Sequence, residues 1–210
     1  KPMADLSKIF LYRITHLQNI PHILQYGITH ITSANRNHDY VPIGDGSLIT
    51  TRTLFPLPNG KLLGDYIPFY FGTRMPMLYV IQHGFNGVKV TAPEDIVYCV
   101  TTVHHIQQTG LEYLFTDGHA VDGLSSFYYP DDIQNIENII DKTAINKQFW
   151  KDEKDLDLKR RKEAEFLLSG DLPSSAILGF MVAINETAEI IKQMPDFGDK
   201  KISVKPQFYF

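Results

Sequence analysis

Between Asp65 and Tyr79 the chain reads Asp65-Tyr66-Ile67-Pro68-Phe69-Tyr70-Phe71-Gly72-Thr73-Arg74-Met75-Pro76-Met77-Leu78-Tyr79. No other segment constrains the fold as strongly. Ile67 to Phe71 is apolar and aromatic, as a buried strand would be. Gly72 fits a turn, and Pro76 fits the first turn of a following helix, with Gly84 at its end. Burial alone does not require this order of rigid rings around one guanidinium. The order suggests a binding surface laid over a core strand.

Elsewhere short strands alternate with short helices. Residues 10–15 predict a strand, and residues 20–26 a helix stopped by Gly27. Residues 95–103 are apolar and β-branched, as a buried strand would be. Further strands are expected at 111–115, 164–168 and 176–184, with a closing strand in 202–210. Further helices are expected at 76–82, after a cap at Asp131 or Asp132, and at 185–193, capped by Asn185. Residues 29–65 show little periodicity, which is long for a simple connection and points to a functional loop. That stretch carries Asn35, Arg36, Asn37, His38, Arg52 and the turns Gly44-Asp45-Gly46 and Pro58-Asn59-Gly60. Residues 151–162 are highly charged and read as a solvated helix or loop. Strands with interspersed helices place the chain in the α+β class. No Gly-x-Gly-x-x-Gly run opens a helix, so a Rossmann dinucleotide site is not indicated.

The 210 residues, 43% hydrophobic, are expected to form one domain over 1–210. No apolar stretch is long enough to cross a bilayer. Lys1-Pro2-Met3 leads almost directly into a strand, so no signal peptide is expected. The one cysteine, Cys99, falls in an apolar strand and reads as core. A single thiol makes no internal disulfide, and the expectation is a reducing, cytoplasmic compartment. The net charge of −4 argues against a general duplex-DNA binder. It leaves room for a local groove that takes a short single strand. No Cys or His spacing matches a metal site, and no metal is expected.

The candidate chemical residues each have a plainer alternative. Glu165 stands at the entrance to Phe166-Leu167-Leu168, with Lys159, Arg160, Arg161 and Lys162 just upstream. It is a partly desolvated carboxylate or a surface glutamate at a strand end. Glu163 is its rival, because alternation puts both on one face of an extended segment. Arg52 is a solvated loop charge or a guanidinium that grips a phosphate through paired N–H bonds. His119 follows the Thr116-Asp117-Gly118 turn, and His16 ends the first strand. Both sit at strand mouths, where ligands bind, or are hydrogen-bonded structural histidines. Arg74 lies amid Tyr70, Phe71, Met75, Met77 and Tyr79. Such a mixture suits stacked, splayed bases, or core rings with a snorkelling arginine. The run Lys159-Arg160-Arg161-Lys162 is a solvated face or a local positive patch.

Together these segments resemble the DarT family. The resemblance is carried by Tyr12-Arg13-Ile14-Thr15-His16, followed by Asn19, Ile20, Ile23, Leu24 and Gly27. It continues with Pro42-Ile43-Gly44-Asp45, Arg52, and Asp65 through Tyr79. Phe115-Thr116-Asp117-Gly118-His119-Ala120 and Ala164-Glu165-Phe166-Leu167 follow, then the ending Lys205-Pro206 and Phe208-Tyr209-Phe210. The matches run in order along nearly the whole chain and are weakest at 125–160.

The resemblance implies an ADP-ribosyltransferase fold: an α+β domain with a split mixed β-core, short helices and a long N-terminal NAD-binding loop. It implies a toxin that transfers ADP-ribose from NAD, a consumed co-substrate, to a base in single-stranded DNA, most often thymine. The macrodomain antitoxin DarG is the implied partner. Glu165 and Arg52 take the catalytic positions. His16, Ile14, Asn19, Gly27, Tyr70 and His119 are implied at the NAD cleft. Arg74, Met77, Tyr79 and Tyr66 are implied at the DNA. The chemistry fits, since nicotinamide leaves through an oxocarbenium-like state that a carboxylate on the ribose stabilises. If thymine reacts through N3, that N–H loses a proton, and Glu165 is the candidate base. Two other readings stay open: an enzyme of this fold acting on RNA or protein, and a non-catalytic module that binds nucleic acid or ADP-ribose.

Overall fold

The computed structural model describes residues 3–44 and 46–210. Asp45 of the expected Gly44-Asp45-Gly46 turn lies outside the described residues, as do Lys1 and Pro2. The strands are β1 (Phe10–His16), β2 (Ile67–Tyr70), β3 (Ile96–Thr102), β4 (Tyr113–Thr116), β5 (Phe127–Tyr128), β6 (Glu165–Leu168), β7 (Gly179–Val182) and β8 (Lys201–Val204). They form one sheet in the order β5-β4-β6-β2-β1-β3-β7-β8. Among the described residues only β7 and β8 pair in parallel. The helices are α1 (Ile20–Tyr26), α2 (Gly46–Thr53), α3 (Pro76–His83), α4 (Val103–Thr109), α5 (Ile136–Ile139), α6 (Lys142–Asn146), α7 (Leu158–Lys162) and α8 (Asn185–Lys192). None is long and apolar enough to cross a membrane.

The sheet is pinched at its centre. β1 meets β3 along its whole length, from Phe10↔Thr102 to His16↔Ile96. It meets β2 through the single pair Tyr12↔Tyr70. The Arg13 side chain adds a bond across this seam, Nη1 donating to the Pro68 carbonyl at 3.1 Å. The expected split core is therefore a continuous sheet with a seam between β1 and β2.

Both faces are covered, but differently. On one face α1, α4 and α8 bury Ile20, Ile23, Leu24, Val103, Ile106, Ala188 and Ile191 against Leu11, Phe69, Val97, Cys99 and Phe166. The opposite face is covered in two separate pieces. α3 and the C-terminal tail pack Leu78, Ile81 and Tyr209 on Ile96, Tyr98 and Val100. The segment after α2 packs Leu57, Leu63 and Tyr66 on Leu114 and Leu167. β3 is covered on both faces, by the α1, α4 and α8 layer and by α3 with the tail, which is why all seven of its residues are buried. Cys99 is core, and burial pushes its thiol up to about 12, so it stays protonated.

Several local expectations change. The stretch at 29–65 contains α2, in which Thr50 and Thr53 donate back to the carbonyls of Gly46 and Ile49. Its Ile-Thr-Thr sequence has low helix propensity, so pattern alone hid it. Lys159 is exposed, but the rest of the run, 160–162, is neither a solvated face nor a free positive patch. Arg160 is paired with Asp157 and Asp117, and Arg161 with Asp155, Asp141 and Asp157. Lys162 is fully buried, its ammonium donating to the carbonyls of Ile145 at 2.9 Å and Lys147 at 2.6 Å. The strand expected over 176–184 shortens to β7, because residues 174–176 form a 3₁₀ turn. The tail pairs only as β8 and then folds as a 3₁₀ turn at Pro206–Phe208. Position 129, not Asp131 or Asp132, caps the next turn, with Asp132 accepting from the Tyr129 N–H. Asn185 opens α8 one residue after its cap position.

Gly27 ends α1 at φ 84°, where a Cβ would lie 1.9 Å from the Leu172 carbonyl oxygen. Ile28 N–H donates to that same carbonyl and fixes the approach. Gly27→Ala is therefore expected to cost about 2–4 kcal/mol, read by urea unfolding. A cost below about 0.5 kcal/mol would mean that the two backbones are free to separate.

Candidate active site

Residues on cross-strand partners share a face. Tyr12↔Tyr70 and Tyr70↔Glu165 are such partners, so the three side chains line one face of the pinched sheet. Alternation adds Ile14 and His16 from β1. This is the face that the two coverings leave divided, and Glu165 stands at the division.

The Glu165 side chain is 0% exposed, and the Arg52 side chain is 20% exposed. α2 brings Arg52 down on it in a paired grip. Nη2 donates to Oε1 at 2.5 Å and Nη1 to Oε2 at 3.3 Å. The Ala120 N–H donates to Oε2 at 2.7 Å. The Thr116 hydroxyl accepts from the Glu165 N–H at 2.9 Å and donates to the Gly118 carbonyl at 2.6 Å. Thr116 thereby fixes both the carboxylate's backbone and the turn that delivers Ala120. Burial works against the Arg52 charge, but the Glu165 carboxylate outweighs it and holds the guanidinium above its ordinary value. An arginine held in this way is not a proton acceptor.

His119 closes the group, with Nε2 3.5 Å from Arg52 Nη1. Arginine has only donors, so this ring nitrogen accepts. Burial lowers the His119 pKa, Glu165 opposes the change, and Arg52 adds to it. The ring is neutral at pH 7, as the contact requires.

A second group surrounds Arg74, which has a left-handed backbone at φ 55°. Its N–H donates to the Tyr98 hydroxyl at 3.2 Å, and that hydroxyl donates to the Phe208 carbonyl at 3.0 Å. Its Nη1 donates to the Tyr209 carbonyl. The guanidinium lies 4.1 Å from the Phe210 ring centre and 5.5 Å from that of Phe149. Tyr79 stacks on His83 and Phe85, and meets the edges of Trp150 and Phe210. Phe149 is 62% exposed, and Phe85 is also exposed. The result is an aromatic surface beside the turn that follows β2.

The family model described as "ssDNA thymidine ADP-ribosyltransferase, DarT" matches residues 12–210. The chain belongs to the DarT family. A DNA ADP-ribosyl transferase of Thermus sp. (strain 2.9) is 30% identical over 95% of each chain. The DNA ADP-ribosyl transferase of Escherichia coli O127:H6 is 30% identical over 89% of this chain and 86% of its own. The fold is similar to Thermus sp. 2.9 DarT in complex with ADP-ribosylated ssDNA, with a TM-score of 0.79 and 26% identity over 100% and 99% of the chains. The same Thermus protein in complex with NAD+ gives a TM-score of 0.76 over both full chains. A DNA ADP-ribosyl transferase–DNA ADP-ribosyl glycohydrolase fusion of Thermosipho africanus is 28% identical over 95% of this chain and 49% of its own.

Within this DarT fold, Glu165, Arg52 and His119 come together, with Tyr70, Ile14 and His16 on the same face. Asn19 and Gly27 do not join them. They line a cavity of ≈ 40 Å³ with Arg13, Thr15, Tyr40 and Cys99, on the other face of β1. Asn19 is a loop anchor, donating to Val41 O and accepting from Val41 N, each at 2.8 Å. Tyr66 is buried with Leu57 and Leu63, its hydroxyl accepting from Asn59. It is not part of the aromatic surface around Arg74. Met77 packs under α3 beside Tyr12 and Ile14. Among the described residues no group of His, Cys, Asp and Glu could hold a metal ion. The sequence reading missed Thr116, the Ala120 N–H, Phe149 and Phe210. The Asp117-Gly118 turn was the available signal for the first two, because a tight turn beside a strand end aims backbone N–H groups inward.

An NMR titration of His119 is expected to give a midpoint below the ordinary histidine value, with the tautomer protonated at Nδ1. A midpoint at or above about 6.5 would contradict the Arg52 contact.

Proposed function

We propose that the Arg52–Glu165 pair is the reacting centre at which this chain transfers ADP-ribose from NAD+ to thymidine in single-stranded DNA. The observation that carries the reading is the paired grip itself, a fully buried carboxylate held by a guanidinium at the divided face. A carboxylate offers about four acceptor sites. Arg52 and Ala120 use three in this structure, one on Oε1 and two on Oε2. The site left on Oε1 suits a ribose hydroxyl. As nicotinamide leaves, positive charge grows on the ribose, and a fixed anion beside it stabilises that state more than the ground state. Arg52 keeps Glu165 charged and lies next to the reacting base. Ile14, His16, Tyr70 and His119 line the nicotinamide end of the cleft. Access of NAD+ towards Asn19 and Gly27 requires the Tyr40–Val41 loop to move, because a cavity of ≈ 40 Å³ admits about one water.

The acceptor strand lies along Tyr79, Phe149, Trp150 and Phe210. Exposed rings beside a cation suit unpaired bases whatever their sequence. Arg74 serves this surface chiefly by holding the tail in place, since its Nη1 is bound to tail carbonyls. The chain acts as a single domain, as a toxin in the cytoplasm, and its modification is reversed by a macrodomain antitoxin of the DarG type. The transferase–glycohydrolase fusion of the Thermosipho relative supports the last point.

The test is NAD+ with a short thymidine-containing single strand, followed by mass spectrometry. Glu165→Gln is expected to lower transfer by about 10²–10³-fold with NAD+ affinity kept. Arg52→Lys is expected to be a poor substitute, because an ammonium cannot make two parallel bonds. In the same assay Phe149→Ala is expected to raise the KM for the strand without changing NAD+ affinity. Full activity of Glu165→Gln would remove the assignment.

A further inference from the structure

The transfer to thymidine has a proton to place, and the reacting pair has nowhere to put it. The only N–H of the thymine ring in DNA is at N3. When N3 bonds to the ribose C1″, the C1″–N bond to nicotinamide breaks, and nicotinamide leaves with that electron pair as a neutral molecule. The N3 proton must then go to a base. Arg52 is already protonated and held so, and Glu165 is paired with Arg52, accepts the Ala120 N–H and turns its remaining acceptor site to the ribose rather than to the base.

Glu163 is the unused carboxylate next to this centre. It ends α7 with φ −89° and ψ 23°, so the segment is not extended there, and the alternation expected for Glu163 and Glu165 does not apply. It is 7% exposed, yet among the described residues no hydrogen bond or ion pair holds its carboxylate. Its backbone is fixed, the N–H donating to the carbonyls of Lys159 and Arg160 at 3.2 Å. The helix end that carries it is tied to the site, since the His119 N–H donates to the Arg160 carbonyl at 2.9 Å, and its charge acts on Arg52 from α2 and on Tyr70 from β2. Among the described residues its oxygens are not fully enclosed unpaired atoms, so they keep an opening to solvent and are free to take a proton.

We propose that Glu163 is the proton acceptor of the transfer step, taking the N3 proton of thymine as N3 bonds to the ribose. The step balances, since the positive charge that NAD+ brings on nicotinamide ends as the proton on Glu163. This inference rests on the function proposed above and concerns a different carboxylate.

The groups facing Glu163 set its titration. They are Lys159 and Lys162 on α7, Glu165 on β6, Arg52 on α2 and Tyr70 on β2. Burial pushes the Glu163 carboxyl up to about 7, Glu165 adds to the rise, and Lys159, Arg52 and Lys162 oppose it. Above that pH the group is charged and accepts a proton. Below it the group is already protonated. Transfer therefore falls as pH drops through about 7.

The experiment measures transfer to a thymidine single strand from pH 5.5 to 9, with NAD+ affinity followed by calorimetry. The parent is expected to show an acid limb with a midpoint near 7. Glu163→Gln is expected to lose about 10²–10⁴-fold in kcat, to lose the acid limb, and to bind NAD+ as the parent does. Glu163→Asp is expected to recover part of the rate, with a shifted limb. Glu163→Gln with the parent's rate and limb overturns the proposal. So does a loss of NAD+ affinity equal to the loss of rate, which would make Glu163 a structural support. Glu165→Gln, run alongside, separates the two claims. If it stays active, the reading of the pair fails, whatever Glu163 does.

Discussion

A carboxylate with no exposed surface cannot stay charged at the end of a strand without a partner. Glu165 is in that position, and Arg52 supplies the partner from a helix 113 residues away in sequence. Much of the local structure around the pair follows from this contact. α2 must fold in a stretch of poor helix formers to deliver the guanidinium. The 116–120 turn must close so that the Ala120 N–H reaches the second oxygen. β2 must end beside β6 so that Tyr70 lies across from Glu165.

The sheet makes room for the pair by leaving one face divided. α3 and the tail cover one half, and the segment after α2 covers the other. The seam at Tyr12↔Tyr70 lies between them. Lys162 joins the pieces near the site. Its buried ammonium holds the Ile145 and Lys147 carbonyls, and burial lowers its pKa to about 8. The segment so held leads directly to Phe149 and Trp150. Arg160, Arg161 and Lys162, read in the sequence as part of a solvated face or a local positive patch, are thus internal scaffolding, and the aromatic surface is what Lys162 supports.

Much of this was legible in the sequence because the strands carry their own signal. Ile96–Thr102 is unbroken and β-branched, and the run after Asp65 encodes strand, turn and proline-started helix in order. Glu165 was legible as a carboxylate entering an apolar strand. Local pattern could not reveal that Arg52 sits on a helix, because three threonines and an isoleucine hide it. Nor could it show which cations of 159–162 are paired, since their partners Asp117 and Asp141 lie far along the chain. Asn19, Gly27 and Tyr66 have structural partners that no local pattern shows. Asn19 anchors a loop, Gly27 permits a backbone contact, and Tyr66 fills a core. Alternation misled at Glu163, where a helix end replaces the extended backbone that the argument assumed.

The central claim is that Arg52 and Glu165 act as one unit. A double-mutant cycle on transfer to a single-stranded thymidine oligonucleotide measures it most directly, using Arg52→Gln, Glu165→Gln and the pair together. The account predicts strong non-additivity, with the second substitution costing little once the first is present. Losses that multiply, each substitution reducing transfer by the same factor alone or combined, would contradict it.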